Sequence, residues 1–276
     1  MDPDRIHPLR HIDCAHGTLG WREAGSGPAM VLLHGIGSGS LSWAAQLAAF
    51  AGSHRVVAWD APGYGESAAL PQAKPLAVDY AQALSDFLSR LHIDELVLVG
   101  HSLGALVAAA WAARPSARLQ ALVLASPARG YGAADAAVRE AKWRERVEAI
   151  ERLGPQGLAD ERAARLCAPG APDAAIASVR WNMARVTRQG YSQAAHMLAF
   201  DDLLTHLRQV RVRAAVLCGE LDRVTEPGAC AAVAAEVGAT FTQLPCVAHA
   251  CYTEDPDSFN AALGAAIEIS LETRHV

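Results

Sequence analysis

Short, unbroken apolar runs recur along this chain, and nothing else in it limits the fold as tightly. Val31-Leu32-Leu33, Leu96-Val97-Leu98-Val99 and Leu122-Val123-Leu124 show no alternation of apolar and polar residues. A strand with one face in water alternates, whereas a strand covered on both faces does not. Such runs, at 30–34, 55–60, 95–100, 119–126, 213–219 and 239–245, are separated by longer stretches with helical spacing of their apolar positions. Helices are expected at 41–51, 78–91, 103–113, 226–237 and 255–269. Strands and helices in alternation make an α/β fold, a mostly parallel sheet flanked by helices. The stretch 11–23 reads as an antiparallel hairpin that turns near His16-Gly17.

One block breaks the alternation. From 129 to 207 no strand pattern occurs. A charged helix over 135–153 would bring Trp143, Val147 and Ile150 onto one face. Gly154-Pro155 and Ala168-Pro169-Gly170-Ala171-Pro172 interrupt the block, and further helices are expected at 173–187 and 191–207. Three parts follow: a first core segment at 1–128, an inserted helical lid at 129–207, and a second core segment at 208–276. A length of 276 residues suits one large α/β domain with an insertion, and 51% hydrophobic residues can fill its core.

The chemistry-bearing residues lie just past the strands. Gly100-His101-Ser102-Leu103-Gly104 joins the run at 95–99 to the helix that starts at Leu103. A turn that sharp needs residues of almost no side chain two before and two after its centre, and it leaves Ser102 exposed at the sheet end. His34-Gly35-Ile36-Gly37 follows the run at 30–33, and Asp60-Ala61-Pro62-Gly63-Tyr64-Gly65-Glu66-Ser67 follows the run ending at Trp59. The second of these reads as a constrained turn with no catalytic role. Gly219-Glu220-Leu221-Asp222 ends the run at 213–217, and His249 follows the last strand. Open α/β sheets place their sites at such carboxyl ends.

With these motifs in hand, the chain resembles the α/β-hydrolase superfamily along essentially its whole length. It is similar in layout to 3-oxoadipate enol-lactonases, small carboxylesterases and carbon–carbon bond hydrolases of aromatic meta-cleavage pathways. The resemblance implies an eight-stranded sheet, with Ser102 as nucleophile, His249 as general base and Asp222 as the acid that orients it, in the chain order of that fold. Glu220 is the rival acid, and its position in the turn directs it away. The amides of Ile36 and Leu103 are expected to form the oxyanion hole, where fixed donors meet the charge that develops on the carbonyl oxygen. Haloalkane dehalogenases and epoxide hydrolases carry aspartate where Ser102 stands. The implied reaction is hydrolysis of a carboxylic ester or lactone of a small organic acid through an acyl-enzyme. Hydrolytic cleavage of a meta-cleavage-type diketone is the alternative chemistry, and a non-catalytic small-ligand receptor is the alternative class.

The substrate pocket is expected between the lid and Ser102. Arg129, Tyr131, Trp143, Trp181 and Met197 in the lid are candidates to line it, as is Trp43 soon after the oxyanion loop. Arg180, Met183, Arg185, Tyr191 and His196 in the same block are further candidates to line it. Arg129 is singled out as a partner for a substrate carboxylate. His101 and His34 are read as structural. No cofactor and no metal is implied, since the six cysteines show no C-x-x-C pair and no zinc spacing. Acidic residues outnumber basic ones 29 to 24, with no basic cluster, so the expected partner is a small-molecule substrate and not nucleic acid. No run of eighteen apolar residues and no secretory signal pattern occur, so no membrane partner is expected and a cytoplasmic location is. A monomer and a homodimer remain equally open.

Overall fold

The apolar runs become the central strands of one eight-stranded sheet. The computed structural model describes residues 6–115 and 118–272. In chain order the strands are β1 (Arg10–Cys14), β2 (Gly17–Ala24), β3 (Ala29–Leu33), β4 (Arg55–Trp59), β5 (Leu96–His101), β6 (Leu119–Ala125), β7 (Ala214–Gly219) and β8 (Thr240–Leu244). Their spatial order is β1-β2-β4-β3-β5-β6-β7-β8. The hairpin β1–β2 pairs antiparallel, with Cys14 opposite Gly17, and β2 runs antiparallel to β4. All other neighbours are parallel.

The helices are α1 (Ala44–Phe50), α2 (Ala77–Arg90), α3 (Leu103–Ala112), α4 (Ala136–Arg162), α5 (Asp173–Met183), α6 (Arg188–Phe200), α7 (Leu203–Leu207), α8 (Pro227–Val237), α9 (Cys251–Glu254) and α10 (Pro256–Glu272). Successive strand residues point to opposite faces, and here each face has its own core. Val31, Leu33, Leu96 and Leu98 pack with α2, α3 and α8 on one side. Met30, Leu32, Val97 and Val99 pack with Leu47 of α1 and Phe259 and Leu263 of α10 on the other. That double burial is why the runs are continuous.

Between β6 and β7 the chain is helical, and its detail departs from the sequence pattern in two places. The first helix does not end at 153. Gly154 turns the chain at φ 66° and ψ 175°, and Pro155 starts a further helical stretch to Arg162. The pattern over 191–207 reads as one helix, yet the chain breaks at Asp201-Asp202. Asp202 accepts from the amide of Thr205 at 3.1 Å and so caps α7, while Asp201 accepts from the amide of Ala77 at 2.7 Å. Acidic side chains that find amides outside the helix compete with its continuation.

Polar tethers seat this block over the strand ends. Thr187 donates to the carbonyl of Gly63 at 2.7 Å, and Gln193 donates to the carbonyls of Leu70 and Gln72, both at 2.7 Å. On the other side the amide of Ala250 donates to the carbonyl of Leu166 at 2.9 Å. Among the described residues, no helix is long and apolar enough to cross a membrane.

Candidate active site

β5 ends at His101 and α3 begins at Leu103, so Ser102 alone makes the turn. Its backbone sits at φ 52° and ψ −114°, a region that costs a non-glycine residue about 1–3 kcal/mol. The neighbouring glycines show what enforces it. A Cβ on Gly104 would lie 2.4 Å from the carbonyl oxygen of Leu33, and one on Gly100 would lie 2.6 Å from that of Gly104. The amide of Ser102 donates to Ala125 at 2.9 Å, and its carbonyl accepts from Ala128 at 3.1 Å, which locks the turn between β5 and β6.

Three strand ends bring their residues into one hydrogen-bonded line. His249 Nε2 lies 3.0 Å from Ser102 Oγ, and His249 Nδ1 lies 2.9 Å from Asp222 Oδ2. The other carboxylate oxygen of Asp222 accepts from the amides of Val224 at 2.8 Å and Thr225 at 3.0 Å, and Thr225 Oγ1 donates to Oδ2 at 2.9 Å. Burial disfavours the charge of Asp222. The hydrogen bond and charge of His249 and these amides outweigh it and hold the carboxyl well below its usual range. A charged Asp222 fixes the proton on Nδ1 and leaves Nε2 free to accept from Ser102. Glu220 is exposed and accepts from the amide of Cys246 at 3.0 Å, on the far side of the turn. Thr225 escaped the sequence reading; its only signal is a hydroxyl three residues after an aspartate, a spacing shared by ordinary turns.

The remaining histidines are structural partners. His101 donates through Nε2 to the carbonyl of His249 at 2.9 Å, and burial, then the nearby His249, push its imidazole down to about 3. His34 donates to the carbonyl of Gly35 at 2.8 Å and accepts from the amide of Ala61 at 3.0 Å, and burial pushes it down to about 4. Buried Glu254 accepts from the amides of Ala248 at 3.1 Å and Ala168 at 2.6 Å, which ties the His249 loop to the helical block. Tyr64 donates to the carbonyl of Ile36 at 2.7 Å and shapes the loop after β3. Leu103 opens α3, where the first amides have no acceptor within the helix. Among the described residues, neither the Ile36 nor the Leu103 amide has an acceptor. Both amides are therefore left without an internal partner.

Ser102 and His249 open into a cavity of about 780 Å³ beneath the helical block. Arg129, Tyr131, Met183 and Tyr191 line it, as does Ile36. Seven other residues expected there do not, Arg180, Arg185 and His196 among them. Trp43 is fully buried, stacked on Tyr252 with ring centroids 4.3 Å apart. Met197 is fully buried in the core beneath α6. Trp143 packs edge-on against His196 at 5.5 Å, on a face of α4 turned from the cavity. Trp181 lies in a separate shallow groove under the guanidinium of Arg185, 3.4 Å from its ring centroid. Among the apolar side chains that the block does turn to the cavity are Leu166, Val179, Met183, Tyr191 and Leu198. Tyr252, Arg146, Arg162 and Arg165 line the cavity and were not singled out. Tyr252 is signalled only by its place three residues after His249. Among the described residues, no group of three or more His, Cys, Asp or Glu side chains is arranged to hold a metal ion.

Comparison with known proteins agrees with this geometry. Residues 30–262 match the alpha/beta hydrolase family. An uncharacterized protein of Mycobacterium tuberculosis is 41% identical over 124 residues, 45% of this chain and 36% of that protein, so the match spans little more than a third of that relative. A Klebsiella variicola protein assigned by name to carbamate hydrolysis is 30% identical over 258 residues, 86% of this chain and 90% of its own. A thermophilic esterase from Thermogutta terrifontis superposes with a TM-score of 0.84 at 25% identity, covering 95% of this chain and 98% of the esterase.

Proposed function

The chain belongs to the alpha/beta hydrolase family, and from that premise we propose that it hydrolyses a carboxylic ester or lactone of a small organic acid through an acyl-enzyme on Ser102. The observation that carries the reading is the line from Ser102 Oγ through His249 to Asp222, at 3.0 and 2.9 Å, opening into the cavity. Ser102 Oγ attacks the carbonyl carbon while His249 Nε2 takes its proton. The amides of Ile36 and Leu103 hold the oxyanion. Collapse expels the alcohol, which leaves with the proton from His249. Water then repeats the sequence: His249 takes its proton, the hydroxide attacks the acyl carbon, and Ser102 departs with the proton restored. The helical block serves as the lid that excludes bulk water and selects the substrate.

Turnover of chromogenic acetate and butyrate esters tests this. A fluorophosphonate should abolish it and add one adduct, on the peptide that carries Ser102. Turnover that persists after stoichiometric labelling would overturn the reading. Hydrolysis of a carbamate is a second reading, favoured by the Klebsiella variicola relative, and a carbamate ester in the same assay separates the two.

A further inference from the structure

The notable charges in the cavity stand away from Ser102. Arg129, the arginine that sequence suggested for a substrate carboxylate, is mostly exposed and faces Asp202 Oδ1 at 3.5 Å. Arg162 is different. It is half-buried on the cavity wall and donates through Nη1 to the hydroxyl of Tyr191 at 3.1 Å. No carboxylate lies within ion-pair distance of it among the described residues. Tyr191 is 2% exposed, yet it borders the same cavity. Its oxygen accepts from Arg162, so its own hydroxyl proton is left to donate, and no acceptor for it occurs among the described residues. Arg146 and, with the opposite sign, Glu145 also stand close enough to act on the same phenol. The cavity's acidic residues, Glu145, Glu161, Glu226 and Glu236, are all exposed, and Glu236 is paired with Arg208.

We propose that Arg162 and Tyr191 form a carboxylate subsite, so that the preferred substrate is an ester or lactone carrying a second, free carboxylate. A guanidinium with unused N–H groups next to an O–H donor presents the two directed donors that a carboxylate's oxygens take. Arg162 and Arg146 are both half-buried on this wall, and Glu145 beside them offsets one of the two charges, so about one positive charge is left over, which fits a carboxylate better than a phosphate dianion. Arg162 and Tyr191 are binding residues, since neither touches Ser102 or His249. The inference rests on the hydrolase reading of this cavity and deepens it.

The test compares a matched pair, the p-nitrophenyl esters of pentanoic acid and of glutaric acid. Their reacting ends are alike, and one carries a terminal carboxylate. We expect the wild-type protein to favour the glutarate ester by at least tenfold in kcat/KM. Arg162→Ala should erase that preference, chiefly through KM, since an anchor remote from the carbonyl binds ground and transition states alike. Tyr191→Phe should reduce it severalfold, and Arg162→Lys should restore part of it. Arg180→Ala, which removes a lid arginine outside the cavity, should leave the ratio as it is. A wild-type ratio near one, or a ratio that survives both Arg162→Ala and Tyr191→Phe, overturns the subsite and leaves the hydrolase standing. If neither ester turns over, calorimetry with Ser102→Ala protein decides. Tighter binding of the glutarate ester, lost on adding Arg162→Ala, keeps the subsite and removes the hydrolase; equal binding of the two esters removes both.

Discussion

The turn at Ser102 and the cavity wall at Arg162 are built by different means. At the turn, backbone meets backbone: Gly104 has no room for a Cβ beside Leu33, and the Ser102 amide and carbonyl bond to Ala125 and Ala128. On the wall, the long side chains of Arg162 from α4 and Tyr191 from α6 meet through a hydrogen bond at 3.1 Å. Backbone positions can hardly change without disturbing the sheet, whereas the wall can change one side chain at a time. On the proposed function, chemistry resides in the first region and selection in the second, so that fold and reaction type constrain each other more closely than either constrains the substrate.

Substitutions in the two regions should therefore differ in kind as well as in size. Ser102→Ala is expected to lower ester turnover on the order of 10⁵-fold or more while the protein stays folded, since the covalent step needs that oxygen. A residual tenth of wild-type rate would break the comparison at its firmest point. Next, Asp222→Asn should cost roughly 10⁴-fold by favouring the wrong imidazole tautomer. Glu220→Gln, which alters a carboxylate bonded only to the Cys246 amide, should stay near wild type, and a reversal of these two would reassign the acid.

Smaller effects sharpen the contrast. Gly104→Ala must move Leu33 or α3, so urea unfolding should show a loss of about 3 kcal/mol. Acid should weaken the same region. His34 and His101 are pushed down to about 4 and about 3, below the unfolded value of about 6.5. As pH falls through about 6.5 the unfolded chain takes protons first, so stability drops from there downward until the folded histidines titrate. A loss of about 4 kcal/mol between pH 7 and 5, about 2 from each histidine and so roughly halved in His101→Asn, is expected from urea midpoints. An unchanged midpoint over that range would mean that the buried imidazoles do not set acid stability. Trp181→Ala should have the least effect, under about 1 kcal/mol, with kcat/KM unaltered. A marked change in substrate preference would return Trp181 to the pocket.

The same contrast explains what could be read before the structure. Continuous apolar runs and the glycines at 100 and 104 are local consequences of double burial and of a turn without space, so they appear in sequence order. Asp222 and His249 were legible because strand ends mark where a sheet presents its groups. The wall was not, because a helix shows its sequence without showing its rotation. Trp143, Trp181 and Met197 look like pocket residues, yet α4, α5 and α6 turn them to the core or to the surface. Arg162 lies beyond Gly154, where the helical pattern was expected to have ended, and nothing local pairs it with Tyr191. Only packing between α4 and α6 does.

The most direct measurement asks whether the strand-end residues act as one unit. Single-turnover rates on a p-nitrophenyl ester should be compared for Ser102→Ala, His249→Ala and the double variant, each with folding verified. Since His249 works only by moving the Ser102 proton, the double variant should be no slower than the slower single variant. If the two losses instead multiply, the residues contribute independently, and the hydrogen-bonded line at 3.0 Å is not the path of catalysis.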